Sequence, residues 1–288
     1  MRWTPGERSS DIEDRRGASG GGMRGMPGGA GRLGLGGMVI LLILSLVFKQ
    51  DFFSLLSGAA PGPSAGETSA PVRSTPQEDS LVQFVSFVLD DAQSTWAKMF
   101  AASGKSWTNA KLVLYRDATQ TACGFGESAS GPFYCPGDQK VYIDLGFYDE
   151  LRSRFGAPGD FAQAYVLAHE LGHHVQNLLG TDAQIRRLQR SNPGAQNALS
   201  VRLELQADCY AGVWANNTAQ RDLLQQGDVE EGLRAASAVG DDRLQKQATG
   251  RVNPDAFTHG SSRDRMDWFQ RGYQSGQVAS CDTFKGVG

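Results

Sequence analysis

The stretch Tyr165-Val-Leu-Ala-His169-Glu170-Leu-Gly-His173-His174-Val-Gln-Asn-Leu-Leu179 carries two histidines four residues apart, with a glutamate directly after the first. On a helix, residues four apart share one face, with Cβ atoms roughly 5–6 Å apart. His169 and His173 can therefore offer two imidazoles to one metal ion. Glu170 is rotated to the side, where it can reach a water on that ion. This is the arrangement of zinc ligands with a general base.

The flanks predict the helix that the motif needs. Asp160 stands as N-cap with Gln163 at the N3 position of a capping box, and Pro158 and Gly159 break the chain just before it. Gly180 follows as a C′ residue. Phe161, Ala164, Leu167, Ala168, Leu171, Val175 and Leu178 recur at helical spacing and predict one buried stripe. A chance match to the motif is the plain alternative. Histidine argues against it, because the 288-residue chain has only 4 and most of them lie in this segment. His174 points about 100° away from His173 on such a helix and reads as a packing or surface histidine.

Two histidines leave a zinc site short of a third protein ligand, with a further position kept for water. Residues 198–215 read as a second long helix carrying Glu204-Leu-Gln-Ala-Asp208, whose two carboxylates are four apart on one face. Glu204 is the expected third ligand. Asp208 is the expected partner that accepts a hydrogen bond from a ligand imidazole and fixes its tautomer. His259 is the competing ligand, and it can equally serve as a donor to the oxyanion of a tetrahedral intermediate or as a structural cap. A pattern with glycine and then histidine at successive three-residue steps after His173 is excluded, since Gln176 and Leu179 stand there.

The net charge of -3 carries no signal for nucleic acid, and none is expected as a partner. Residues 1–32 are rich in glycine, dotted with arginine and poor in large aliphatics, which predicts a disordered cytoplasmic tail. Leu33 to Phe48 runs without a charge, and Phe52, Phe53, Leu55 and Leu56 continue it past Lys49 and Asp51. A single transmembrane anchor over 33–57 is the expectation. Arg2, Arg8, Arg15, Arg16, Arg24 and Arg32 then keep the N-terminus cytoplasmic and export the rest, to the periplasm or the exterior. A cleaved signal peptide, for which Ser57-Gly-Ala59 resembles a cleavage site, and a buried core helix are the alternatives. Residues 58–77 read as a Pro/Gly/Ser/Ala linker, leaving 78–288 as the folded domain.

Within it, 79–102 is predicted helical, Lys111 to Tyr115 a strand, Thr121 to Gly137 an irregular loop, and Val141 to Asp144 a second strand with a short helix at 147–154. Residues 140–144 are the candidate edge strand for pairing with an extended substrate; an ordinary half-buried strand is the alternative. Residues 183–197 are polar with a turn at Asn192-Pro193-Gly194, and 228–248 form one or two helices. Another helix carries Met266, Trp268, Phe269 and Tyr273. The four cysteines, Cys123, Cys135, Cys209 and Cys281, suit two disulfides rather than a Cys-x-x-Cys zinc site. Cys123 with Cys135 across a Gly/Ser-rich loop leaves Cys209 with Cys281; free buried thiols are the alternative.

Met1-Arg-Trp3, Ile12-Glu-Asp-Arg-Arg-Gly17, Gly131-Pro-Phe-Tyr-Cys-Pro136, Val141 to Leu145, His169 to Gln176, Glu204 to Cys209 and Phe257 to Ser262 resemble the bacterial putative neutral zinc metallopeptidase family over nearly the whole chain. The resemblance implies a single-span anchor and a zincin-like domain. It implies His169, His173 and Glu204 as ligands of Zn2+, with Glu170 as catalytic acid/base, and leaves the substrate open. The expected architecture is α+β, mostly helical with a small sheet, behind a disordered tail and one transmembrane helix. The expected function is hydrolysis of peptide bonds in a peptide or protein substrate. The alternative is an exported, non-catalytic module in which zinc serves structure or the motif is a scaffold; a structural zinc would be closed by four protein ligands.

Overall fold

The computed structural model describes residues 1–17, 74–128 and 131–285. The first helix, α1 (Pro76–Ala102), starts at a complete capping box between Thr75 and Glu78, with Pro76 as its first residue. Val82, Val85, Leu89, Ala92 and Trp96 follow one another on its buried side. It leads into β2 (Lys111–Tyr115), whose Leu112 to Tyr115 are buried on both faces, as expected for a central parallel strand.

The main sheet has the order β1-β2-β6-β5. β1 (Ile12–Asp14) and β6 (Lys140–Asp144) run parallel to β2, with Glu13 opposite Val113 and Val113 opposite Tyr142; β5 (Phe133–Cys135) is antiparallel to β6. A separate hairpin pairs β3 (Ala118–Thr121) with β4 (Gly124–Glu127). The expected loop at 121–137 thus contains β4 and β5; its glycines and serines hide the short pairings. The disulfides are Cys123–Cys135 and Cys209–Cys281, as the spacing predicts.

The remaining helices are α2 (Gly146–Ser153), α3 (Asp160–Leu179), α4 (Thr181–Ser191), α5 (Gln196–Gln220), α6 (Asp228–Ala238), α7 (Asp241–Thr249) and α8 (Ser262–Ser275), of which α3 packs against β5 and β6. α3 and α5 run through the core, where Phe161 stacks on Trp214 and Tyr165 meets Phe269 edge-on. α3 spans the predicted residues and ends on Gly180 in the left-handed conformation. Its N-terminus differs: Gly159 is the N-cap, no capping box forms, and the Phe161 amide donates to Glu231 of α6 instead.

Three expectations are corrected. Residues 1–17 are not a disordered tail: β1 is a strand of the main sheet, Met1 is buried, and its ammonium lies 2.7 Å from Asp160 and 3.3 Å from Asp228. No helix among the described residues is long and apolar enough to cross a membrane, and the expected span at 33–57 lies outside the described residues. The single-pass topology fails on the same ground as the tail. A cytoplasmic N-terminus and an exported domain would be on opposite sides of a bilayer, whereas β1 and β2 are neighbours in one sheet. Finally, β6 is an internal strand between β2 and β5, so 140–144 is not an edge; the edges are β1 and β5.

Candidate active site

The site is built where α3 crosses α5. Gly172 permits the crossing: a Cβ there would lie 2.9 Å from the Ala207 carbonyl oxygen and 3.0 Å from its Cα. One residue on from Gly172 is His173, and one turn before Ala207 is Glu204. The close approach brings three ligand atoms, from His169, His173 and Glu204, within 4.8 Å of one another. His169 Nε2 is 3.2 Å from Glu204 Oε2, and His173 Nε2 is 3.5 Å from Glu204 Oε1. The two rings stand at 90° with centroids 4.9 Å apart. Two imidazole nitrogens and one carboxylate oxygen form a donor set that suits zinc.

The far sides of both rings are held. His169 Nδ1 donates to Asp208 Oδ1 at 2.8 Å. Asp208 is fully buried and its carboxyl is held low, so it accepts and keeps a proton on Nδ1, which makes Nε2 the ring nitrogen left for a metal once its own proton is displaced. The Asp208 carboxylate also accepts from the Tyr165 hydroxyl and from Arg265, whose Nε is 2.8 Å from Oδ2 and whose Nη2 is 3.0 Å from Oδ1. Arg265 is itself buried and donates to the Val239 carbonyl. His173 Nδ1 lies 2.9 Å from Gln176 Oε1.

These contacts shift proton affinities. Burial alone would lower the His169 imidazole, but the Asp208 carboxylate beside it prevails and holds it up to about 10. His173 is likewise raised, burial opposing and Glu204 prevailing. Glu204 is held well below the usual carboxylate value: burial would raise it, but the two histidines outweigh burial. Glu170 goes the other way. Burial pushes its carboxyl up, against the pull of the histidines. A carboxylate with raised proton affinity is a stronger base near neutral pH.

Glu170, His169, His173 and Glu204 all line one cleft of about 600 Å³. Pro132, Phe133 and Tyr134 of the β5 edge line the same cleft, as does His259. His259 is half-exposed and outside the three-atom ligand group. Its Nδ1 lies 3.2 Å from Asp241 Oδ1, and that bond raises its proton affinity above the ordinary imidazole value. Asp241 Oδ2 also accepts from the backbone amides of Thr258, His259 and Gly260, fixing the loop that carries the ring. Of the two readings open for His174, packing or surface, the structure shows packing: it is buried between the Tyr134 hydroxyl and the Thr108 carbonyl, and burial lowers its proton affinity.

Sequence reasoning missed Tyr165, Arg265 and Asp241. A signal for Arg265 was present, since it shares helical spacing with Phe269 and Gly272, the other buried residues of α8. A charge on a buried stripe implies a buried partner. A second acidic group, Asp160, Asp228 and Glu231, has metal-like spacing, but the Met1 ammonium sits on two of its carboxylates.

The profile of the family described as putative neutral zinc metallopeptidase matches residues 1–284. The chain is 48% identical over 286 residues to the uncharacterized protein YpfJ of Escherichia coli strain K12, covering 99% of each. It is 47% identical over 191 residues to an uncharacterized protein of Mycobacterium tuberculosis, covering 62% of this chain and 63% of the relative. No solved structure matches.

Proposed function

The chain belongs to the putative neutral zinc metallopeptidase family, and on that premise we propose that it is a zinc-dependent peptide hydrolase acting on extended peptide segments. The observation that carries this reading is the convergence of His169, His173 and Glu204 on one point, with Glu170 on the same cleft. Zinc held by those three residues would supply a polarised carbonyl and a more acidic water. Glu170 takes the proton from the attacking water and returns it to the leaving amine. His259, oriented by Asp241, donates to the oxygen that gains negative charge. The edge of β5 offers unpaired backbone groups to an extended substrate, which gives affinity without reading sequence.

A catalytic rather than a structural zinc is favoured because only three side chains of the described residues gather, and their open side faces the cleft. Glu170→Gln is the direct test. It should retain zinc and the fold, and lose turnover of a peptide library by about 10²–10⁴-fold. Undiminished cleavage by that variant would end the peptidase reading.

A further inference from the structure

His173 presents Nε2 to Glu204, so its Nδ1 must carry the ring proton for Nε2 to be a ligand. What fixes that proton is Gln176, one turn further along α3. Its amide cannot flip freely. Leu203 O can only accept, and Gln176 Nε2 lies 2.7 Å from it; the same nitrogen donates to Gln206 Oε1 at 3.1 Å. The carbonyl end of Gln176 therefore faces His173 Nδ1, and the ring must donate there. Gln206 is oriented in the same manner, because its Nε2 donates to the Cys281 carbonyl at 3.0 Å. Cys281 is bonded to Cys209, one turn from Gln206 on α5. Both amides are buried, so water cannot replace these partners without cost. His169 is backed by an ion pair, His173 by a relay of neutral amides ending on two backbone carbonyls.

We propose that Gln176 is a positioning residue for the ligand His173, and that Gln206 is the second link. The backbone at Leu203, next to Glu204, and the disulfide-tied segment at Cys281 together select which nitrogen of His173 faces the metal. The proposal rests on the zinc reading of the site. The relay holds the ring before any ligand binds, so disturbing it should weaken zinc while leaving the donor atoms in place.

The test measures zinc dissociation constants for wild type, His173→Ala, Gln176→Leu, Gln206→Leu and the double Leu variant. Solvent exchange of the His173 Nδ1 proton is followed by NMR in the zinc-loaded protein. Gln176→Leu should weaken zinc about 10–100-fold, in the range of changes to groups that orient a metal ligand. Gln206→Leu should act in the same direction to a smaller extent and add nothing in the double variant, since it works through Gln176. The Nδ1 proton should exchange faster in each. Gln206→Leu, two links from the ring, carries the test if Gln176→Leu does not fold. Wild-type zinc affinity and slow Nδ1 exchange in the Leu variants, with zinc lost in His173→Ala, would overturn the relay alone. Wild-type zinc affinity in His173→Ala would overturn the zinc reading and the relay with it.

Discussion

At the scale of single residues, the site is organised around protons as much as around a metal. His169 holds its proton up to about 10 and His173 is raised as well, so zinc must displace protons to reach Nε2 of either ring. The signs of the two states then oppose. In zinc-stripped protein, His169 titrates higher folded than unfolded, so it adds stability below the unfolded value near 6.5, and that contribution is lost as pH rises through about 10. Zinc binding gains over the same range, because fewer protons have to leave. The increase in melting temperature on adding zinc should therefore grow from pH 6 to pH 8; an increment that shrinks would refute the competition. The charge behind His169 gives a second prediction. Arg265→Met leaves Asp208 buried without its cation, and removing one partner of a buried pair costs about 3–5 kcal/mol. Denaturant unfolding should show that loss, and the double change with Asp208→Asn should recover part of it. Recovery failing altogether would mean that Arg265 acts by packing alone.

At the scale of elements, the zinc-facing geometry depends on how near α3 comes to α5, and Gly172 sets that distance. Alanine is the better helix former by about 1 kcal/mol, but its methyl would press on the Ala207 backbone, and overpacking costs about 1–3 kcal/mol. Gly172→Ala should lower the melting temperature and weaken zinc, since His173 and Glu204 flank the contact. A higher melting temperature with unchanged zinc affinity would show slack between the helices. The same contact explains what could be read from the chain. The periodic pattern of α3 and the spacing of His169, His173, Glu204 and Asp208 announce two helices with facing ligands, because helical periodicity is local. β3, β4 and β5 were not legible, because strands of three or four residues are too short to show a period. Arg265 and Asp241 were missed for a different reason: they come to the site on α8 and α7 by tertiary packing, which is written in no short segment, whereas Tyr165 stands one turn before His169 on α3 and was within reach of the same spacing.

At the scale of the whole molecule, the N-terminal residues are part of the domain they were expected to be separated from. Composition misled here: of the arginines that read as a topological signal, Arg8 and Arg16 pair with Asp14 and Arg15 with Glu13 within the fold. Asp11, Asp14 and Glu13 hold depressed carboxyl values despite partial burial, because Lys111, Arg16 and Lys140 respectively lie against them. Ile12 pairs with Leu112, and Met1 enters the same core cluster as Phe84, Val85 and Phe161. Its ammonium meets Asp160, the first residue of α3, and Asp228, the first residue of α6. Residues 1–17 thus cover one edge of the sheet and tie the starts of two helices, one of which carries His169 and His173. Removing residues 2–17 should uncover β2 as a bare edge and take the placed Met1 ammonium away from the buried Asp228 and the half-exposed Asp160. The expected result is a loss of several kcal/mol, at about 2–4 °C in melting temperature per kcal/mol for a domain of this size. Zinc affinity should fall along with it, because the start of α3 loses its tie. A truncated protein that melts and binds zinc like the full chain would show that the domain stands without β1.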